Sequence, residues 1–129
     1  MLNGMILLAE DNDLVRSFVC SVLQRHGYRV IEANDGAAAL DLARRVGLDE
    51  IDLVLTDVDM PALSGTQLAR CLKRLRPDLK ILYMTGDTGV HVNELCREGA
   101  VIEKPFGYGT LVRAVDTCLS QVRPVRAGV

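Results

Sequence analysis

The chain alternates short, wholly apolar runs with longer stretches whose apolar residues recur every three or four positions. The first run, Met5-Ile6-Leu7-Leu8-Ala9, ends on Glu10-Asp11, and another, centred on Leu53-Val54-Leu55, ends on Asp57. Consecutive apolar residues over so few positions predict strands buried on both faces, as in a parallel sheet. Tyr28 to Glu32, Lys80 to Met84 and Val101 to Glu103 predict three further strands. Pro61 cannot continue a central ladder, so the chain must turn soon after Asp57.

Between the strands the period changes to that of a helix. Leu14, Val15, Phe18, Val19, Val22 and Leu23 form one apolar face, with Asn12 or Asp13 as cap and Gly27 at the end. Asn34-Asp35-Gly36 introduces a second helix marked by Ala39, Leu40, Leu42, Ala43 and Val46, which stops near Gly47. Ser64 caps a third, whose apolar face is Leu68, Cys71, Leu72 and Leu75 and which Pro77 breaks. A weaker pattern predicts a helix from about Val90 to Arg97; two glycines flank its start, and it is expected to be the most mobile element. The last helix carries Leu111, Val112, Val115, Cys118 and Leu119 on one face. Strict alternation of strand and helix predicts a parallel sheet with helices on both faces and right-handed crossovers. The folded domain is expected over residues 1–123 and a flexible tail over 124–129.

Composition narrows the function classes. The 129 residues suit one domain, and 49% hydrophobic with 25% charged residues is too apolar for disorder. A net charge of −2 provides no basic footprint for nucleic acid. No apolar run has membrane-spanning length, and Met1 to Glu10 lacks the charged and apolar regions of a signal peptide. Cys20, Cys71, Cys96 and Cys118 each fall in an expected helix with no close pair, so they are read as small hydrophobes rather than disulfides or metal ligands. A cytoplasmic compartment follows from that usage. His26 and His91 have no partner at metal-ligand spacing and are read as structural.

The strand ends carry the candidate chemistry. Open α/β sheets place reactive groups at the carboxyl ends of their strands. Here those ends deliver Glu10 and Asp11, then Asp57, then Thr85, then Lys104. A single acid of this kind is ordinarily a solvated surface charge. Acids, a hydroxyl and a lysine at four strand ends instead predict one shallow pocket, with Thr85 and Lys104 at the sheet's exposed edge. Three carboxylates close together need a counter-charge, and oxygen ligands with waters suit octahedral Mg²⁺. Mg²⁺ with few protein ligands commonly works on phosphate, and Asp57 is then a nucleophile that forms an acyl phosphate. Lys104 supplies a point charge, Thr85 a hydrogen-bond donor, and Gly86 leaves space beside the incoming group.

The motifs Leu7-Leu8-Ala9-Glu10-Asp11-Asn12, Asp57-Val58-Asp59-Met60-Pro61, Thr85-Gly86 and Lys104-Pro105-Phe106 resemble, in order and spacing, those of the two-component receiver domain. This is the phosphoacceptor module of response regulators, and the likeness spans about residues 4 to 122. The wording of Tyr83-Met84-Thr85-Gly86 and Ile102-Glu103-Lys104-Pro105-Phe106 is most similar to receivers of hybrid sensor histidine kinases. The resemblance implies a flavodoxin-like, doubly wound, five-stranded parallel sheet of order 2-1-3-4-5. It implies that Asp57 accepts phosphate from the phosphohistidine of a histidine kinase or histidine phosphotransfer domain. Asp11, Asp57 and the Asp59 backbone carbonyl would ligate Mg²⁺ (or Mn²⁺), Glu10 would act through water, and Lys104 and Thr85 would contact the phosphoryl group. The first helix and the loop after Phe106 would meet the kinase's helical bundle. Asp59 and Asp87 would tune the lifetime of the phosphoryl group. Such a domain catalyses only its own phosphorylation and dephosphorylation, and touches neither nucleic acid nor membrane.

One position departs from the family pattern. Receivers usually carry Tyr or Phe three residues before the lysine, where this chain has Val101. β-Branched valine has little χ1 freedom, so a muted switch and a monomer before and after phosphorylation are expected. Two other readings remain open. A haloacid-dehalogenase-type phosphohydrolase also places Asp-x-Asp after an apolar strand, but Pro61 and the short remaining chain fit it poorly. A receiver fold that binds partners without being phosphorylated is the other, and the filled acid, hydroxyl and lysine positions argue against it.

Overall fold

The computed structural model describes residues 4–86, 94, 97 and 99–120. Asp87, His91, Cys96, most of the helix expected over 90–97 and the tail at 124–129 lie outside the described residues. Five strands, β1 (Met5–Ala9), β2 (Arg29–Ala33), β3 (Leu53–Asp57), β4 (Ile81–Thr85) and β5 (Ala100–Glu103), form one parallel sheet in the order β2-β1-β3-β4-β5. The helices are α1 (Asp13–Arg25), α2 (Gly36–Val46), α3 (Gly65–Leu75) and α4 (Tyr108–Ser120), with a short 3₁₀ turn at Leu48–Glu50. β2 and β4 begin one residue later than the sequence pattern suggests, and β5 one residue earlier.

The period of two along each strand divides the core between the two faces. Ile6, Leu8, Leu53, Leu55, Leu82, Met84 and Ile102 face α1 and α4, where Val19, Val22, Leu23, Leu111 and Val115 cover them. Leu7, Ala9, Val54, Ile81 and Tyr83 face the other way, onto Ala39 and Ala43 of α2 and Leu68, Ala69 and Leu72 of α3. Every residue of β3 and β4 is buried, as expected for central strands covered on both sides.

The helix starts follow their capping residues. Asn12 accepts from the N–H groups of Leu14 and Val15, and Asp35 from that of Ala38. Ser64 forms a reciprocal capping box with Gln67. At its other end α1 closes on His26, followed by Gly27 with φ +94°. Two apolar faces are narrower than their period suggests. Leu14 is 82% and Phe18 43% exposed on α1, where Cys20 joins the buried arc instead. Leu75, expected on the inner face of α3, is 56% exposed in its final turn. In both helices the periodic stripe is wider than the strip of sheet available to cover it.

Cys20, Cys71 and Cys118 are free thiols within helices. Burial, reinforced by Glu32, pushes the Cys20 thiol up to about 11, and burial also raises Cys118 against the opposing effect of Lys80. Both are therefore neutral packing groups at physiological pH. His26 lies 3.3 Å from Asp116 of α4, and the Tyr28 hydroxyl donates to the same carboxylate. Nothing in the sequence pattern marks this tie between the end of α1 and the last helix.

Candidate functional site

The carboxyl ends of β1, β3, β4 and β5 lie side by side along one edge of the sheet. Strand parity sorts what they deliver. Glu10 continues the row of Ile6 and Leu8, Asp57 that of Leu53 and Leu55, and Lys104 follows Ile102, so all three extend rows that face α1 and α4. Thr85 continues the row of Ile81 and Tyr83, which faces α2 and α3. A backbone bond still joins the two sets, since the Lys104 N–H donates to the Thr85 carbonyl at 2.7 Å.

The carboxylates of Glu10, Asp11 and Asp57 converge, with one oxygen of each within 4.8 Å of the others. Glu10 is fully buried and Asp57 nearly so, whereas Asp11 is exposed. The sequence suggested a shallow pocket; Glu10 instead lies beneath it, and Asp11 forms the solvent side. Thr85, expected at an exposed edge, is 1% exposed. Its strand is central, and packing on its own face of the sheet extends to the strand end.

Lys104 is the counter-charge. Its ammonium donates to Glu10 Oε1 at 2.7 Å and stands 3.3 Å from Asp57 Oδ1. The other Glu10 oxygen accepts the Asn12 backbone N–H at 3.0 Å. Burial works against the lysine's charge, but the two carboxylates outweigh it and hold the ammonium above its usual range. Asp57 goes the other way. Burial, then the Glu10 charge, push its carboxyl up to about 6, although Lys104 and the Asp59 backbone N–H pull it down. Among the described residues, one ammonium against three carboxylates leaves the cluster net negative. A hard divalent cation with oxygen preference fits this donor set.

The loop after β3 is pinned tightly to the site. Gly65, the first residue of α3, donates its N–H to the Val58 carbonyl at 2.9 Å, and a Cβ there would lie 2.1 Å from the Asp57 carbonyl oxygen. Only glycine allows α3 to start so close to Asp57. Ala62 in the same loop has φ +67°. By contrast, a Cβ at Gly86 would meet nothing within 4 Å among the described residues, in keeping with the space expected beside Thr85. Asp59 is exposed. Val101 is half-buried and pairs in register with Tyr83, which is 1% exposed. At this level of the sheet the aromatic therefore stands on β4 rather than β5.

Beside the acids lies an apolar groove of about 470 Å³, lined by Leu14, Val15, Phe18, Lys104, Pro105 and Phe106. The exposed Leu14 and Phe18 form its α1 wall. No helix among the described residues is long and apolar enough to cross a membrane.

Comparison with known proteins places this arrangement. Residues 6–116 match the response regulator receiver domain. The chain is 37% identical over 117 residues to the response regulator receiver protein CpdR of Brucella abortus, covering 88% of this chain and 95% of that protein. It is 41% identical over 81 residues to the sensor kinase CckA of the same organism, covering 63% of this chain but only 8% of the kinase. Among solved structures, the non-phosphorylated HemR receiver domain of Leptospira biflexa superposes with a TM-score of 0.84 at 27% identity, covering 94% of this chain and 98% of that one.

Proposed function

The chain belongs to the response regulator receiver domain family, and on that premise we propose that it is a phosphoacceptor whose acceptor is Asp57. The observation that carries this reading is the placement of the Asp57 carboxylate between two other acids and the Lys104 ammonium. A carboxyl held at about 6 is mostly ionised at neutral pH, as a nucleophile must be. An Asp57 oxygen attacks phosphorus in a phosphohistidine protonated at its other ring nitrogen; the P–N bond breaks as the P–O bond forms, and the imidazole leaves neutral, keeping that proton. The acyl phosphate is later hydrolysed to inorganic phosphate and the free carboxylate.

Asp11 and Asp57, with the Asp59 carbonyl, would hold Mg²⁺ or Mn²⁺, and Glu10 would act through water. When bound, the ion neutralises charge on the phosphoryl oxygens. Lys104 would move from its carboxylate partners to a phosphoryl oxygen, a transfer its position between Glu10 and Asp57 favours. Thr85 would donate its hydroxyl to the same group, and Gly86 leaves room for it. Asp59 and Asp87 would position or exclude the hydrolytic water.

The phosphodonor would be a histidine kinase or a histidine phosphotransfer domain. The match to a stretch of a sensor kinase supports this, and the groove between Phe18 and Phe106 suits the apolar face of a helix. The test is Mg²⁺-dependent labelling by a small phosphodonor such as acetyl phosphate. Labelling at Asp57 that Asp57→Asn abolishes is expected. Full labelling of that variant would refute the assignment, and no response to beryllofluoride with Mg²⁺ would favour a binding module that is never phosphorylated.

A further inference from the structure

Arg16 is outside every motif discussed so far, yet it reaches the acidic cluster from behind. It sits in the first turns of α1, where its backbone N–H donates to the Asn12 carbonyl at 2.9 Å. Its side chain is 20% exposed and folds back across the turn between β1 and α1. Nη1 donates to the Glu10 carbonyl oxygen at 2.9 Å and Nη2 to Asp13 Oδ1 at 2.7 Å, while Nε stands 3.7 Å from Glu32 Oε1 on β2. One rigid, planar guanidinium thus spans the end of β1, the first turn of α1 and the neighbouring strand.

The group it grips is the carbonyl of the peptide that joins Glu10 to Asp11. Rotation of that peptide plane redirects both side chains. Other bonds already hold Glu10: its N–H donates to the Ala33 carbonyl at 3.1 Å, and its carboxylate accepts from Asn12 and Lys104. The bond from Arg16 fixes the carbonyl, and with it the turn that presents Asp11 to solvent opposite Asp57.

We propose that Arg16 is a positioning residue for the divalent-cation site, holding the Glu10–Asp11 peptide so that both carboxylates converge on Asp57. The proposal rests on the reading that these acids bind Mg²⁺. It makes a prediction opposite in sign to that of simple charge. A cation beside an acidic site repels Mg²⁺, so by Coulomb's law alone its removal strengthens metal binding. If Arg16 positions the acids, its removal weakens binding.

The experiment titrates the full chain with Mg²⁺, following amide NMR shifts, for wild type, Arg16→Met and Arg16→Lys, with melting temperatures measured without metal. Arg16→Met is expected to weaken Mg²⁺ binding about tenfold, the range seen when groups supporting metal ligands are lost. Arg16→Lys, which keeps the charge but not the fork, is expected to weaken it about threefold. Metal-free melting of both should stay within a few degrees of wild type. Unchanged or tighter binding in Arg16→Met overturns the proposal. So does wild-type affinity in Arg16→Lys, which decides the matter if the methionine variant fails to fold. A wild-type chain that binds no Mg²⁺ overturns the underlying reading, and the positioning role with it.

Discussion

The ammonium of Lys104 lies 2.7 Å from Oε1 of Glu10, closer than its 3.3 Å approach to Asp57. Glu10 therefore acts on Asp57 twice: its charge repels the neighbouring carboxylate, and it holds the lysine that would otherwise relieve it. Glu10→Gln should lower the Asp57 titration midpoint from about 6 toward the ordinary carboxylate range. Carboxyl ¹³C NMR against pH without metal measures this directly. A midpoint that stays at about 6 or rises would show that burial alone sets it.

Asp57 should cost the metal-free protein stability at neutral pH. Its carboxyl titrates at about 6 when folded, against an ordinary value of 3.8. Between those values the folded state holds a proton that the unfolded state has lost, so this group lowers stability as pH rises through the window. Asp57→Asn removes the effect and should be more stable than wild type at pH 7.5, on the order of 1–2 kcal/mol. The advantage should shrink by pH 4.5. Urea unfolding at both values is the measurement, and a variant less stable than wild type at pH 7.5 would contradict it.

Two glycines near the site should respond in opposite ways. Gly65→Ala drives a Cβ to 2.1 Å from the Asp57 carbonyl oxygen, a clash between backbone-fixed atoms. The expected loss is on the order of 3 kcal/mol or more. Gly86→Ala meets nothing within 4 Å among the described residues and should change stability by about 0.5 kcal/mol or less. Chemical denaturation of the two variants side by side tests the geometry of the loop after β3.

Asp59 is exposed, and its backbone N–H bonds to the Asp57 carboxylate. On the phosphoacceptor reading, its short acidic side chain would hold a water near the phosphoryl group. Asp59→Lys should prolong the labelled state several-fold, as should Asp87→Lys, read as loss of radiolabel over time. Faster loss in both variants would remove the two acids from the hydrolytic step.

The acid and lysine positions were legible in the sequence because each ends or follows a short apolar run, and parallel strands bring those ends to one edge of the sheet. Glu10 and Lys104 stand 94 positions apart in sequence, yet strand-helix alternation puts both at carboxyl ends along one edge; their direct contact is seen only in the structure. What escaped were relationships with no local pattern. Gly65 looks like any helix start until its distance to Asp57 is known. Arg16 looks like a solvated helix residue, and Asp116 gives no sign of bonding Tyr28 at a separation of 88 positions. The period of α1 identifies a face but not how far the sheet reaches beneath it, so it does not separate the exposed Leu14 and Phe18 from the buried residues of that face.

The lysine hangs from the edge of the sheet. β5 has four residues and a single strand neighbour, β4, whereas Glu10 and Asp57 follow or end strands flanked on both sides. Opening of β5 would carry Lys104 away and leave the acids on strands that are paired on both sides. On the phosphoacceptor reading the protein would then have two thresholds of integrity: one at which it would still collect a cation, and a higher one at which it would also steady a phosphoryl group. Mild destabilisation should cross the second first, separating metal occupancy from phosphorylation in a chain that is still largely folded.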